Sequence, residues 1–534
     1  MQKRGQARSV AYGIGLLAIT ALALFPFLLG DSVLPPLLTA GLCGVILTCA
    51  ILVWIWRAPA RGVYVLFGAA VLLQAEASPS FYTDFLGSYL PFFEDISSWT
   101  PVRLVFSIAE VFIVVALLIW VLKAIARREF HFNKGSLMLP LGLYMLMILV
   151  GEVHGIATGG NITTSLWEVR AQVYMLAAYV LTCNLVKTRS PVDILLWILV
   201  LATGFRGIEG TIIYFTQLHG TGVGGAYLFP HEQAFLFNAF LTLTIVLFLY
   251  GGPRRLKQTA LFLLPFVLIA DLASRRRTSI AAFFVALAAL LLITFVAQPK
   301  RRKTIVWILV VLAIVFPPYY LAYQNKSGTL AEPARAVASN FHPDPRDASS
   351  NLYRVSEDAD IMVTAKTSPI IGVGFGKPML TPYPLPNISK IYVFWNILPH
   401  NSILWVWMRM GTIGFLLLWF LLGAAVVQAT SLVSRLRDPA LAGLAVFICL
   451  MIVQEVFFGY LDLQWTNYRN LIVIGVLFAL ISRLATWAKE DDESVSRSAT
   501  GPSGRTRRLP APARPSMPVK AVAIPVPAIH SRTR

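Results

Sequence analysis

His400 and Asn401 stand side by side at the head of a long apolar run, directly after Pro399. Histidine exchanges a proton near neutral pH, so His400 is the candidate general base of this chain. Asn401 is placed to orient an acceptor or the imidazole itself. Four arginines are candidates for holding an anion. Arg276 and Arg277 fall in the short loop Ser274-Arg275-Arg276-Arg277-Thr278 between two apolar runs; Arg170 opens one apolar run, and Arg206 lies inside the next. The guanidinium fork pairs bidentately with phosphate and stays charged at any working pH. An arginine inside a membrane segment marks a functional site by default, although Arg170 can instead snorkel to the surface and Arg206 can pair with Glu209. Asp271 precedes Arg275 by one helical turn, so these two are expected to pair and leave Arg276 and Arg277 to a ligand.

Other residues are expected to support this set. Gly372, Gly374 and Gly376 punctuate the stretch SPIIGVGFGKP. It has neither the strand–helix context nor the lysine of a phosphate-binding loop, and is read as a turn that folds the outer loop back over the mouth of the site. Arg354 lies with Glu357, Asp358 and Asp360 on an amphipathic helix expected over Leu352 to Lys366. Asp358 and Asp360 have the spacing of a metal pair, but a solvated helix face is the simpler reading, and no metal site is assigned. After His400, at 100° per residue, Leu404, Gly411 and Gly414 fall within about 40° of it. The two glycines on that face are expected to let another helix pack closely.

These residues need a scaffold, and composition says which kind. The 534 residues are 57% hydrophobic and only 13% charged, against about 25% in a soluble domain. The chain therefore reads as an all-α polytopic integral membrane protein of about 12–14 transmembrane helices with one large outer loop. The net charge of +19 is split into short basic clusters between apolar segments, which argues against a nucleic-acid partner. Cys43, Cys49, Cys183 and Cys449 sit in apolar spans, without disulfide or zinc spacing. The first span, Val10–Gly30, lacks a convincing cleavage site and is read as retained. Boundaries are expected at 1–257 (N-terminal helices), 258–323 (helices flanking the arginine junction), 324–399 (outer loop), 400–486 (C-terminal helices) and 487–534 (a disordered, basic, Pro-rich tail). Basic clusters occupy every second short loop, which puts both termini in the cytoplasm. The arginine junction is the exception to that alternation.

The Gly-rich turn, the Pro-His-Asn corner, His-Asn-x-x-Leu and the Gly-x-x-Gly pair together resemble the O-antigen ligase and O-antigen polymerase superfamily, over roughly Leu261 to Phe420. Arg277, followed by Thr-Ser-Ile-Ala-Ala, fits an arginine carried by that superfamily, and Arg354 fits another loosely. The resemblance implies a GT-C-like glycosyltransferase of the bacterial inner membrane. It would move a glycan from a polyprenyl (undecaprenyl) diphosphate carrier to an acceptor hydroxyl at the periplasmic face, with inversion and without metal or other cofactor. Arg277, Arg276, Arg206 and Arg170 would then hold the diphosphate. The partners implied are the lipid-linked donor, a glycan or lipid-linked acceptor, and membrane lipid. Two acceptors stay open. Another carrier-linked repeat would make the chain an O-antigen or exopolysaccharide polymerase, which the extra spans and sizeable loop favour; lipid A-core would make it a ligase. A small-solute transporter is the alternative of another class. It would be expected to show paired half-repeats or broken helices, and neither is visible in the sequence.

Overall fold

A computed structural model describes residues 36–74, 92–95, 106–220, 228–326, 328–389 and 393–499. The expected span Val10–Gly30 and most of the Pro-rich tail lie outside these residues. The chain divides into two units, Met1–Lys489 and Glu490–Arg534, and the first carries everything that follows except the end of the last helix. Among the described residues the regular structure is helical. The helices are α1 (Pro36–Arg57), α2 (Ala60–Leu72), α3 (Ile108–Ala126), α4 (Met138–Ala157), α5 (Ile162–Leu185), α6 (Arg189–Thr216), α7 (His231–Tyr250), α8 (Arg254–Ala273), α9 (Arg277–Ala297) and α10 (Arg302–Tyr323). Two lie in the outer segment, α11 (Glu332–Ala338) and α12 (Pro345–Thr367). The last three are α13 (Ser402–Arg435), α14 (Pro439–Leu461) and α15 (Tyr468–Ala499). Ten of them are long and apolar enough to cross a membrane. This is a polytopic membrane protein.

The bundle centres on α7, with 83% of its apolar window buried, and on α14, with 78%; α10 stands at the edge with 6%. Along α6, added Cβ atoms at Gly204 and Gly207 would come within 2.3 Å of Leu263 and 2.8 Å of Val267 on α8. Small residues thus bring the two backbones together, and α8 delivers the arginine junction at its end. Helix α5 begins at Ile162, well before Arg170, where the apolar run opens. Its first turns carry Ser165, Glu168 and Arg170, all buried, and Asn161 caps it by accepting from the Thr164 N–H at 3.0 Å. Buried polar residues that pair inside the bundle look like loop by hydropathy alone. The outer segment is also more ordered than its composition suggested. Asp344 caps α12 by accepting from the Asp347 N–H at 2.8 Å, so the helix starts seven residues ahead of Leu352.

Helix α13 is broken. Gly411 has φ 63° and ψ −169°, outside any helical geometry. The Gly-rich turn fills the break with its own backbone. Val373 and Gly374 donate to the carbonyls of Met408 and Arg409 at 2.9 and 3.1 Å, and Thr412 and Ile413 donate to Pro369 and Ile370 at 2.8 and 3.2 Å. Two carbonyls and two N–H groups of α13 at the break are thus paired with loop backbone, as buried backbone requires. Gly372 has φ 79°, and a Cβ there would lie 2.2 Å from the Arg409 carbonyl oxygen. The turn is therefore a plug in the bundle, not a flap over the mouth. The expectation for Gly411 changes with it. A Cβ at Gly411 would meet the Ile370 backbone at 2.3 Å, and one at Gly414 would meet Met410 of the same helix at 2.2 Å. The small residues admit a loop rather than another helix.

Candidate active site

The arginine junction is a tight turn between α8 and α9. Arg275 adopts φ 52°, a left-handed conformation rare for a residue with a Cβ. Asp271 does not pair with Arg275. Its carboxylate accepts from Ser279 Oγ across the turn at 2.8 Å, while Arg275 Nε reaches Glu332 Oε1 of α11 at 3.2 Å. The turn sends Arg275 and Arg277 to the outer segment and Arg276 to the entry of α7. Arg276 Nη2 donates to the Phe229 carbonyl at 3.1 Å, and its Nη1 lies 2.7 Å from His231 Nε2. Arg277 begins α9. It donates to Ser339 Oγ at 3.3 Å and to Asn351 Oδ1 at 3.1 Å, with Asp347 at 3.4 Å.

Opposite this turn stands His400. Its Nδ1 lies 3.0 Å from Glu357 Oε2 and 3.2 Å from Oε1, and its backbone N–H donates to the same carboxylate at 2.9 Å. A nitrogen facing a carboxylate carries the hydrogen, so Nε2 keeps its lone pair, and among the described residues nothing bonds to it. The Tyr353 ring stands edge-on to the imidazole, with centroids 5.7 Å apart. Burial and then Glu357 push the Tyr353 hydroxyl up to about 12, so it stays protonated. The His400 ring is 23% exposed while Glu357 is 1% exposed. A buried carboxylate orients an accessible imidazole, the arrangement a general base needs.

One cavity of about 660 Å³ joins these groups. His231, Arg276, Arg277, Arg335, Arg354 and His400 are among the residues that line it. The volume suits a ligand of sugar–diphosphate size. Of the residues singled out in the sequence, Arg276, Arg277, Arg354 and His400 come together here. The others stand elsewhere. Arg170 is buried against Asp95 at 3.0 Å and Glu110 at 2.8 Å and stacks over Trp167. Arg206 is fully buried against Glu209 at 2.7 Å and over Phe229. Neither lines the cavity; inside the bundle each guanidinium is matched by carboxylate instead. Asn401 caps α13 by accepting from the Leu404 N–H at 3.0 Å, and its side chain also bonds to Asp358. It acts on the backbone rather than on a ligand. Asp358 and Asp360 have different partners. Asp360 is fully buried and accepts from the Tyr383 N–H at 3.0 Å, so neither the metal pair nor the solvated face describes them.

Apart from His231, the residues that line the cavity lie within one matched segment. Residues 259–419 match the O-antigen ligase family. That match puts the segment in the O-antigen ligase and polymerase superfamily, and gives this membrane protein a ligase- or polymerase-type enzyme domain. A comparison with curated proteins finds no match. The O-antigen ligase segment contains the arginine junction, α11, α12, the plug and His400. One cavity group, with its carboxylate partner, bears on it from outside. His231 opens α7, and Asp462, just after α14, is bonded to His231 Nδ1. Burial alone would raise Asp462; His231, Arg354 and His400 facing it hold it well below the usual carboxylate range.

Sequence reasoning missed Glu357 as a partner of His400, and missed His231, Asp462, Glu168 and Arg409 altogether. Arg409 is fully buried on Glu168 at 2.6 Å, next to the plug, whose Gly376 N–H also donates to Glu168 at 2.6 Å. A signal was present for two of them, since Glu168 and Arg409 are charges within helical runs of a membrane protein. The broken helix also went unseen. In a transporter such a break opens onto a substrate, whereas here loop backbone fills it.

Proposed function

We propose that the chain is an inverting glycosyltransferase that moves a glycan from a polyprenyl diphosphate carrier to an acceptor hydroxyl at the periplasmic face. The observation that carries this reading is that one cavity, lined mostly by the O-antigen ligase segment, holds both an oriented imidazole and a cluster of arginines. The donor diphosphate sits against Arg276 and Arg277, with Arg354 nearby. Its oxygens displace the neutral hydroxyl and amide partners of Arg277, because charge-assisted bidentate bonds are stronger. The acceptor hydroxyl lies against His400. As its oxygen attacks the anomeric carbon, the proton passes to His400 Nε2. The bond from the anomeric carbon to the phosphate oxygen breaks, and the electron pair leaves on the diphosphate. The arginines stabilise that developing charge where water is scarce. Glu357 holds the imidazole and stabilises it once protonated. This chemistry places no demand on a metal ion, since guanidinium groups neutralise the leaving group.

Within this reaction the acceptor is another carrier-linked repeat, which makes the chain a polymerase of O-antigen or exopolysaccharide units. The outer segment with α11 and α12 forms part of the cavity wall and supports a large glycan acceptor. The ligase reading is favoured by the family description itself. Deleting the protein in its host and sizing the surface glycan separates the two. Single repeats left on lipid A mean a lost polymerase, and long chains left on the carrier mean a lost ligase. Normal glycans with altered solute uptake overturn both.

A further inference from the structure

The cavity holds two imidazoles, each against a buried carboxylate, and they are not equivalent. His400 has one ring nitrogen engaged by Glu357. His231 has Nδ1 engaged by Asp462, and Arg276 Nη1 lies against the ring, 2.7 Å from Nε2 and 3.3 Å from Nδ1. The Asp462 carboxylate only accepts, so Nδ1 carries the hydrogen it receives, and Nε2 is the ring nitrogen left to accept from the arginine N–H. The imidazole is thereby held neutral, and the cation beside Nε2 opposes any proton taken up there. His231 is therefore unsuited to be a second base.

We propose that Asp462 and His231 form a hydrogen-bonded strut that aims Arg276 at the donor's diphosphate, which makes His231 a positioning residue of the transferase site. The inference rests on the assignment of Arg276 to that diphosphate. Arg276 is gripped at two points two residues apart, the Phe229 carbonyl at 3.1 Å and the His231 ring. Both belong to the entry into α7, the most buried of the candidate spans. The far end of the strut is equally fixed. Asp462 is 2% exposed, and its carbonyl accepts from Ser402 Oγ at 3.2 Å. Ser402 also donates to the Gly459 carbonyl at 3.0 Å and accepts from the Trp465 N–H at 3.2 Å. Ser402 lies two residues after His400. One chain of bonds thus runs from the segment that bears the base to the guanidinium that holds the leaving group, and fixes the distance between them. Such fixing matters because a fork held ready for the diphosphate loses less side-chain freedom when the donor binds. A flexible arginine does not hold its fork toward one ligand without such support.

The test uses the full-length purified protein and a polyprenyl diphosphate-linked glycan donor, with donor KM and kcat measured separately. Arg276→Ala is expected to raise donor KM about 10-fold or more, as loss of a charged hydrogen-bonding group does. His231→Ala is expected to raise it to a similar extent, with kcat within about twofold, and to add nothing on top of Arg276→Ala, because both changes remove one interaction. His231→Gln is expected to stay within about threefold of the parent. Its amide oxygen accepts from Arg276, and its NH₂ donates to Asp462. Asp462→Asn, which keeps the side-chain shape, controls for misfolding and is expected to fall between these two. If Arg276→Ala raises KM but His231→Ala leaves it alone, lowers kcat instead, or adds independently to Arg276→Ala, the strut is overturned and the transferase reading stands. If Arg276→Ala itself leaves KM unchanged, the assignment of Arg276 to the diphosphate is overturned, and the strut with it.

Discussion

Two regions of this molecule use the same side chains to opposite ends. Around the plug, Arg409 and Glu168 meet at 2.6 Å with neither exposed, and the remaining Arg409 donors go to the carbonyls of Gly374 and Ile397 at 3.2 and 3.0 Å. Around the cavity, Arg277 shares itself among a hydroxyl, an amide and a carboxylate at 3.1–3.4 Å. The first arginine is enclosed by short bonds, and a ligand has nothing to offer it. The second has longer, weaker partners and a cavity beside it. Arg170 and Arg206 belong with the first kind. Charge in a membrane segment therefore does not by itself identify a ligand site; what distinguishes one is access to a cavity and the strength of the bonds already made.

The comparison predicts that changes in the cavity cost rate while changes at the plug cost fold. The largest rate effect is expected at His400. His400→Ala lowers transfer about 10²–10⁴-fold while protein level and donor binding are retained, as a turnover assay beside a donor-binding assay will read. Retained turnover in His400→Gln sinks the base assignment, because glutamine replaces a hydrogen bond but not a proton acceptor. Arg409→Ala leaves Glu168 as an uncompensated buried charge and costs about 3–5 kcal/mol of stability. It is expected to reduce the amount of folded protein in the membrane, seen by fluorescence-detected size exclusion. A stable Arg409→Ala protein with lost turnover would erase the distinction drawn here.

A smaller effect is expected at Arg277. Arg277→Ala raises donor KM about 10-fold or more, and Arg277→Lys, which keeps the charge but loses the fork, falls between it and the parent. Full activity of both removes Arg277 from the diphosphate site. The smallest effect concerns Asp358, at the foot of the base. Its carboxyl is raised to about 6, chiefly by burial. A group whose pKa is higher in the folded protein favours folding when protonated, so its contribution is present at low pH and lost as pH rises through about 6. The parent is therefore expected to lose melting temperature relative to Asp358→Asn between pH 5 and pH 7. Parallel curves would show that Asp358 is not burdened by its ionised form.

The sequence showed part of this clearly. The apolar runs behind the roughly 12–14 expected helices correspond, among the described residues, to α1–α10 and α13–α15, because lipid demands long apolar runs and the composition displays them. His400 was legible from its place beside Pro399 at a helix head, and the three adjacent arginines from their place between two spans. What was hidden depends on pairing across the chain. Glu357 lies 43 residues from His400, and Asp462 lies 231 residues from His231, so no spacing rule connects them. The order of the outer segment was hidden for a related reason. Helix α11 is tied down by contacts such as Glu332 with Arg275 of the arginine junction, not by any apolar stripe. The break at Gly411 was misread because a glycine pair on a membrane helix more often marks helix packing than a vacancy filled by a loop.

The break at Gly411 also has a mechanical consequence. The run from Thr412 to Arg435 is long enough to cross a bilayer by itself, which takes about 20 residues. A spanning helix tilts to match the thickness of its membrane. Here the tilting rod ends at Gly411, and the stub from Ser402 to Met410 is clamped separately by the plug and by Arg409 on Glu168. The imidazole at the head of the stub is thereby insulated from the lipid around it. Turnover in vesicles is expected to vary little with acyl-chain length, even where the tilt of the rod changes.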